Sequence, residues 1–329
     1  MNDEFDIERV LKAAGRREPV PGAIERAARE HLRREWRAIV GERHGVRRRN
    51  TALAMAASVA AAVVGLWLVG SQSVLGAGPV GTVSVAQDDV RVRGGWLEGW
   101  EPAAAGLALK SGQSVETGSG GRAGLSMPGI ASVRLDHGTR LRLAAADRLA
   151  IERGAIYVDA GRERPGESRL LVETPAGIVR HIGTQYEVRV DGPAVRLRVR
   201  EGRVEWRSRS GAVEHGEAGE QITIAANGDV ARQPTPSYGE TWDWIGSTTP
   251  AMDIEGLPLA QFLAWAGREL GREVVFATPG VRQEAASIVV HGSVAGLPPR
   301  EALEAVLATT SVRGALDEGH IVISGGRDQ

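Results

Sequence analysis

A chain of 329 residues, 42% hydrophobic and 25% charged with a net charge of −1, has room for about two folded units and enough apolar content to give each a core. The absence of cysteine excludes disulfide scaffolds, thiolate zinc sites, iron–sulfur clusters and thiol catalysis. The even balance hides an asymmetry: residues 1–50 carry 13 Lys/Arg against 9 Asp/Glu, residues 71–329 carry 27 against 32, and nothing from Asn50 to Gln87 is charged.

At the N-terminus, Ile7, Val10, Leu11 and Ala14 share one helical stripe, and Pro19 and Pro21 then break the chain. Ile24, Ala28, Leu32, Trp36 and Ile39 recur at spacings of three and four and predict a second amphipathic helix. Its other face carries Arg26, Arg29, Arg33, Arg34 and Arg37, interleaved with Glu25 and Glu30 at i,i+4 spacing. Two short helices bury little by themselves. One reading makes Ile24, Leu32, Trp36 and Ile39 a partner-binding face with Trp36 as anchor; the other makes this a solvated helix touching lipid headgroups. Acids dilute the arginine stripe, so direct nucleic-acid binding is not expected.

Residues 51–70 follow, and within them Ala52 to Val69 are all apolar or small. Eighteen helical residues span about 27 Å at ~1.5 Å each, close to a bilayer core of roughly 30 Å. Arg47, Arg48 and Arg49 stop at the near edge, and Trp67 lies near the far one, where an indole suits the interface. A buried, alanine-rich core helix is the alternative. A cleaved leader would start within a few residues of Met1, whereas here a polar segment comes first, so an uncleaved anchor is expected. The arginine bias keeps residues 1–50 in the cytoplasm and puts the remainder outside, in the periplasm of a cell with two membranes.

Between residues 80 and 232 the pattern is short, alternating and turn-rich, with runs such as VSVAQDDVRVR, LAIERGAIYVDA, YEVRV and VRLRVREGRVEW. Asp191-Gly192, Glu201-Gly202 and Asn227-Gly228 supply turns at close intervals. This is a mainly β domain: a sandwich, a barrel or an irregular solenoid. Residues 233–250 form a Pro/Ser/Thr/Gly linker whose Trp242 and Trp244 are expected to pack on a neighbour. Residues 251–325 read as a small α+β domain in the order βαββαββ: MDIEG, a helix opened by Leu257-Pro258-Leu259 and running to Leu270, EVVFA, ASIVVHG, a helix opened by Pro298-Pro299, then ALDEG and HIVISG as a hairpin.

The run from Glu173 through Thr174, Pro175, Ala176 and Gly177 to Gly183, Thr184, Gln185, Tyr186, Glu187 and Val188 resembles the signature of FecR-type periplasmic domains. Val199-Arg200-Glu201-Gly202-Arg203-Val204 is similar to that family's Val-x-Glu-Gly-x-Val. Upstream, Leu135-Asp136-His137-Gly138-Thr139-Arg140-Leu141 and Glu152-Arg153-Gly154-Ala155-Ile156-Tyr157-Val158 resemble its Asp-Gly-x-x-Leu and Gly-x-x-Tyr-x-Val elements. Residues 252–324 resemble the short N-terminal domain of secretins and TonB-dependent receptors (STN), through Val290-His291-Gly292 and Pro299-Arg300-Glu301-Ala302-Leu303. The resemblance implies a single-pass inner-membrane regulator. Its periplasmic part would sense an outer-membrane TonB-dependent receptor or another periplasmic protein. Its cytoplasmic part would bind an extracytoplasmic-function sigma factor, as anti-sigma factor or co-activator. The inside segment here is shorter than the family's usual anti-sigma region. Within the signature, Gly177, Gly183 and Gly202 suit turns or bulges, Pro175 suits a strand start, and Ile178, Tyr186, Val188, Val199 and Val204 are expected in the core. Thr174, Pro175, Gly177, Gly183, Thr184, Tyr186, Glu201 and Gly202 are thus read as structural.

No catalytic constellation stands out. The seven histidines are scattered without metal-ligand spacing, and His181 reads as a strand residue with solvent access. Gly118-Ser119-Gly120-Gly121 lacks the lysine of a phosphate loop. Carboxylates such as Glu98 and Glu101, in a Trp/Gly loop, are a pair that a sugar-active enzyme could use. No enzyme activity, cofactor or metal is expected. A membrane-anchored envelope scaffold without sigma-factor activity is the alternative to signal transduction.

Overall fold

The computed structural model describes residues 22–23, 26–27, 29–35, 78–95, 97–161 and 170–326. The chain divides into two units, Met1–Ser73 and Val74–Gln329. In the first, the described residues between 22 and 35 are helical and exposed, Leu32 at 65%. The side chain of Arg26 donates back to the carbonyl of Gly22 over 2.9 Å, one helical turn away. Ile24, Trp36, Ile39, Arg47, Arg48, Arg49, Trp67 and the expected span at 51–70 lie outside the described residues. Among the described residues, no helix is long and apolar enough to cross a membrane.

The second unit opens with fifteen strands in one continuous hydrogen-bonded sheet. They are β1 (Gly81–Gln87), β2 (Val90–Arg93), β3 (Glu101–Pro102), β4 (Ala108–Leu109), β5 (Ser114–Thr117), β6 (Arg122–Met127), β7 (Ala131–Leu135), β8 (Arg140–Ala145), β9 (Arg148–Asp159), β10 (Leu171–Glu173), β11 (Gly177–Asp191), β12 (Ala194–Ser208), β13 (Val213–Glu217), β14 (Glu220–Ile224) and β15 (Val230–Pro234). Three strands are much longer than the rest, and each changes partners halfway. The first half of β9 pairs with β8 and, in parallel, with β10; its second half pairs with β7 and β11. The first half of β11 pairs with β10 and the far half of β12, and its second half with β9 and the near half of β12. β12 passes from β14 to β13. The result is two half-sheets, β3-β2-β5-β8-β9-β10-β11-β12-β13 and β4-β1-β6-β7-β9-β11-β12-β14-β15, joined through shared strands. Their inward side chains form one core that includes Leu125, Leu135, Leu141, Ile156, Val188 and Leu197. The architecture is a closed-over β-sandwich with a barrel-like wrap.

Each crossing strand bends at a left-handed glycine: Gly154 (φ 84°), Gly183 (φ 58°) and Gly202 (φ 77°). A side chain at Gly154 would sit 2.5 Å from the backbone of Thr139, so that corner requires glycine. The bulge at Ile182–Gln185 also shifts the inward parity of β11. Before it the odd positions Val179 and His181 face in; after it the even positions Tyr186, Val188 and Val190 do. Two expectations are corrected by this shift. Ile178 is 41% exposed rather than core, and His181 is fully buried rather than solvent-accessible.

Beyond the sandwich, a 3₁₀ turn (Glu240–Trp242) and one helical turn (Asp243–Gly246) interrupt the expected linker. The C-terminal module follows with β16 (Leu257–Pro258), α1 (Leu259–Leu270), β17 (Glu273–Phe276), α2 (Pro279–Ser287), β18 (Val289–Val290), α3 (Pro299–Ala308), β19 (Val312–Asp317) and β20 (His320–Gly325). The strands form a pair, β16-β18, and a sheet, β17-β20-β19. Leu259, Phe262, Leu263 and Ala266 make the buried stripe of α1, and Gly271 (φ 63°) closes it. The module has a core of its own, including Phe262, Leu303, Ile321 and Ile323. The expected order needs three corrections. MDIEG is not a strand. The helix opened at Leu257 begins at Leu259. ASIVVHG is helical through Ser287 and leaves only Val289–Val290 extended, because α2, capped by the Thr278 hydroxyl, precedes it.

Candidate functional site: the polar layer beneath the C-terminal module

The two apolar cores are separate. Between them lie a small cluster of Tyr157, Trp242 and Ile245, with Trp244 against it, and a layer of buried charge. Strand alternation builds this layer. Next to inward-facing Val133, Leu135, Ile156, Val158 and Val188, the outward positions of the same strands are Arg134, Tyr157, Asp159 and Glu187. The residues 237–249 and α1 cover them.

Arg134, 1% exposed, meets the Glu269 carboxylate of α1 at 2.8 Å and also donates to the carbonyl of Ile245 and the hydroxyl of Thr249. Burial alone would lower the guanidinium pKa, but Glu269 outweighs it and the pKa is raised. Arg268, next along α1, holds Asp159 and reaches Glu201 over 2.6 Å. Burial would raise the Asp159 carboxyl, yet the hydrogen bonds and charge of Arg268, with Gln185, hold it below the usual carboxylate range. Glu187, fully buried, accepts from Arg189 at 3.3 Å and from the Trp244 indole at 3.2 Å. The Trp242 indole donates to the carbonyl of Pro236 over 2.7 Å, and its ring meets Tyr157 edge-on at 6.0 Å. Arg200 lies over the Trp242 ring at 5.3 Å and donates to the carbonyl of Ser237 over 2.6 Å. Burial pushes the Tyr157 phenol up to about 12, against the pull of Arg200 and Arg134.

The signature residues frame this layer. Thr174, Pro175, Ala176 and Gly177 form the turn from β10 to β11, where the Gly177 amide donates to the Thr174 hydroxyl over 3.1 Å. A side chain at Gly177 would strike the carbonyl of Arg207 on β12. Gly183 and Thr184 make the bulge of β11, and the carbonyl of Thr184 accepts from the Ala160 amide. Tyr186 is fully buried and stacks on His181 at 6.0 Å; burial lowers His181 to about 4 and raises the Tyr186 phenol. Glu201 and Gly202 are the bend of β12, and Glu201 reaches out to Arg268. Glu98 and Glu101 are exposed.

Sequence reasoning singled out Glu201 but missed Arg134, Tyr157, Asp159, Arg268 and Glu269 as a group. One signal was readable. Glu269 stands three residues after Ala266, on the buried stripe of α1, where an unpaired carboxylate is not tolerated. Arg134 gave none, since Arg142 sits in a similar alternating strand and is exposed. Among the described residues, no group of His, Asp or Glu is arranged to hold a metal ion.

Residues 113–205 match the family described as FecR protein, a stretch that takes in β9, β11 and most of β12 with their glycine bends. The chain therefore carries a FecR domain at 113–205. Two crystal structures of a candidate anti-sigma factor from Parabacteroides distasonis ATCC 8503, at 1.65 and 2.50 Å resolution, are similar over 64% of this chain. They align over 97% and 98% of their own length, at 20% identity and a TM-score of 0.35. No curated protein matches the chain.

Proposed function

We propose that the chain is a single-pass inner-membrane signal transducer. Residues 51–70 span the bilayer, residues 1–50 face the cytoplasm, and the FecR domain and C-terminal module face the periplasm. A periplasmic protein, an outer-membrane TonB-dependent receptor or its equivalent, docks on the outer part. The inner helix, with Ile24, Leu32, Trp36 and Ile39, regulates an extracytoplasmic-function sigma factor. The observation that carries this reading is the FecR match at 113–205, joined in one chain to an uncharged run edged by Arg47, Arg48 and Arg49. The exposed face at Leu32 is in keeping with a partner-binding helix.

Two measurements test it. A periplasm-active reporter fused after Gln329 is active and a cytosol-active one silent; the reverse overturns the topology. The chain co-purifies with an extracytoplasmic-function sigma factor, and deleting residues 1–50 changes transcription of that factor's targets. Unchanged transcription and no association remove the regulatory role and leave the anchored scaffold. The module at 251–325 is proposed as an STN-like docking domain.

A further inference from the structure

The arginines of the polar layer do not all meet the same kind of partner. Arg134 has Glu269, Arg189 has Asp136 and Glu187, and Arg268 has Asp159 and Glu201. Arg200 is 5% exposed and has no carboxylate within ion-pair distance among the described residues. Its hydrogen bonds go to neutral oxygens, the Ser237 carbonyl at 2.6 Å and the Tyr157 hydroxyl at 3.4 Å, and its charge rests on the Trp242 ring. Arg272, in the same wall, likewise donates to a carbonyl, that of Asp317, and covers the Tyr238 ring at 4.5 Å. Both line a cleft of about 200 Å³ between the 239–246 turns, the end of α1 with Glu269 and Leu270, and the start of α3, and both also line a second opening that includes Gly271. A side chain at Gly271 would strike Arg200 and the Ser237 carbonyl, so the backbone closes directly onto the guanidinium.

We infer that this cleft receives a carboxylate group, bound by Arg200 from within and by Arg272 at the rim. A buried guanidinium without a counter-ion is costly, and with Nε held by the Ser237 carbonyl a carboxylate would meet it through the remaining Nη hydrogens. Below the roughly 300 Å³ usual for a small-molecule pocket, the space suits one side chain or a small acid. Of the acids lining the cleft, Glu269 is already paired with Arg134, while Asp243 and Glu301, both exposed beside Arg300, oppose a polyanion and favour a single charge. The carboxylate comes from an Asp or Glu of a docked protein segment, or from a free small acid. The cleft lies wholly within the Val74–Gln329 unit, so its binding stands apart from the topology and sigma-factor reading.

The full chain, in detergent, has no cysteine, so D243C carries a single environment-sensitive fluorophore at the cleft mouth. Sodium acetate and a capped Gly-Glu-Gly peptide are titrated against sodium chloride of equal ionic strength. A saturable change with either carboxylate, absent with chloride, is expected, with half-saturation rising at least about tenfold in R200Q and about threefold in R272Q. Tighter binding of the peptide assigns the source to a protein side chain, and equal or tighter binding of acetate to a free acid. No saturable change, an equal response to chloride, or unchanged half-saturation in R200Q overturns the inference. Should R200Q fail to fold, R272Q, at the rim, decides: unchanged half-saturation there overturns it.

Discussion

Along β7, β9, β11 and β12, Val133, Leu135, Ile156, Val158, Val188 and Val199 meet one another inside the sandwich. One residue along, Arg134, Tyr157, Glu187 and Arg200 turn the other way and meet charges, indoles and carbonyls. Burial is nearly complete on both faces, yet the sources of cohesion differ. The inner face gains about 25 cal/mol for each Å² of apolar surface removed from water and needs no particular partner. The outer face is stable only while its charges keep their partners, carboxylates for Arg134 and for the arginines of Glu187, a carbonyl and an indole ring for Arg200, because desolvated ions repay their cost through geometry alone. The lesson is one of tolerance: the sandwich can exchange aliphatic residues, whereas the layer under α1 fails when one member is lost.

The sharpest way to break this comparison is Arg134→Ala. It strands Glu269 and should destabilise the protein by about 3–5 kcal/mol in urea unfolding. The double replacement R134M/E269L should recover most of that loss; if it is as damaging as the single change, the ion pair is not what matters. Next in size is Gly154→Ala, which forces a left-handed alanine against Thr139 and should cost about 2–3 kcal/mol by the same measurement. A near-neutral result would mean the corner relaxes freely.

A third effect appears with pH. His181 titrates at about 4 in the fold against 6.5 ordinarily, so the unfolded chain binds the extra proton between those values. Stability is full above pH 6.5 and falls as the pH drops toward 4, by about 2 kcal/mol between pH 7 and pH 5. In His181→Leu that pH-dependent part should vanish, as read from Tm at the two pH values. Below pH 4 the depressed carboxyls of Asp136 and Asp159 add a further loss, which His181→Leu retains. The smallest effect sharpens the contrast from the other side. Arg203 and Glu217 pair at 2.6 Å but are each 53% exposed, and Arg203→Ala should cost less than about 1 kcal/mol in the same unfolding titration.

What could be read in the residues follows the same division. Short alternating runs with glycine turns announce strands, because a half-buried pleat imposes period two on a core that accepts any aliphatic residue. The buried stripe of α1 was equally plain. The Gly183 bulge was visible as a glycine, but its parity shift was not, and it misplaced both Ile178 and His181. α2 escaped because only Val281 and Ala285 are buried along it, too few to set a period; Thr278 before Pro279 was the signal to read. The polar layer was least legible. Whether an outward arginine meets water or a glutamate 135 residues away depends on which segment folds over it, and that is a property of the tertiary structure.

The strands that belong to both halves of the sandwich have a bearing on how the domain comes apart. A strip of backbone shared by two surfaces cannot be peeled from one without loosening the other. Amide protons of β9, β11 and β12 should therefore exchange with deuterium together, in a single slow class set by whole-domain opening. With so many of its contacts distant along the chain, the same domain should also assemble slowly and in one concerted step.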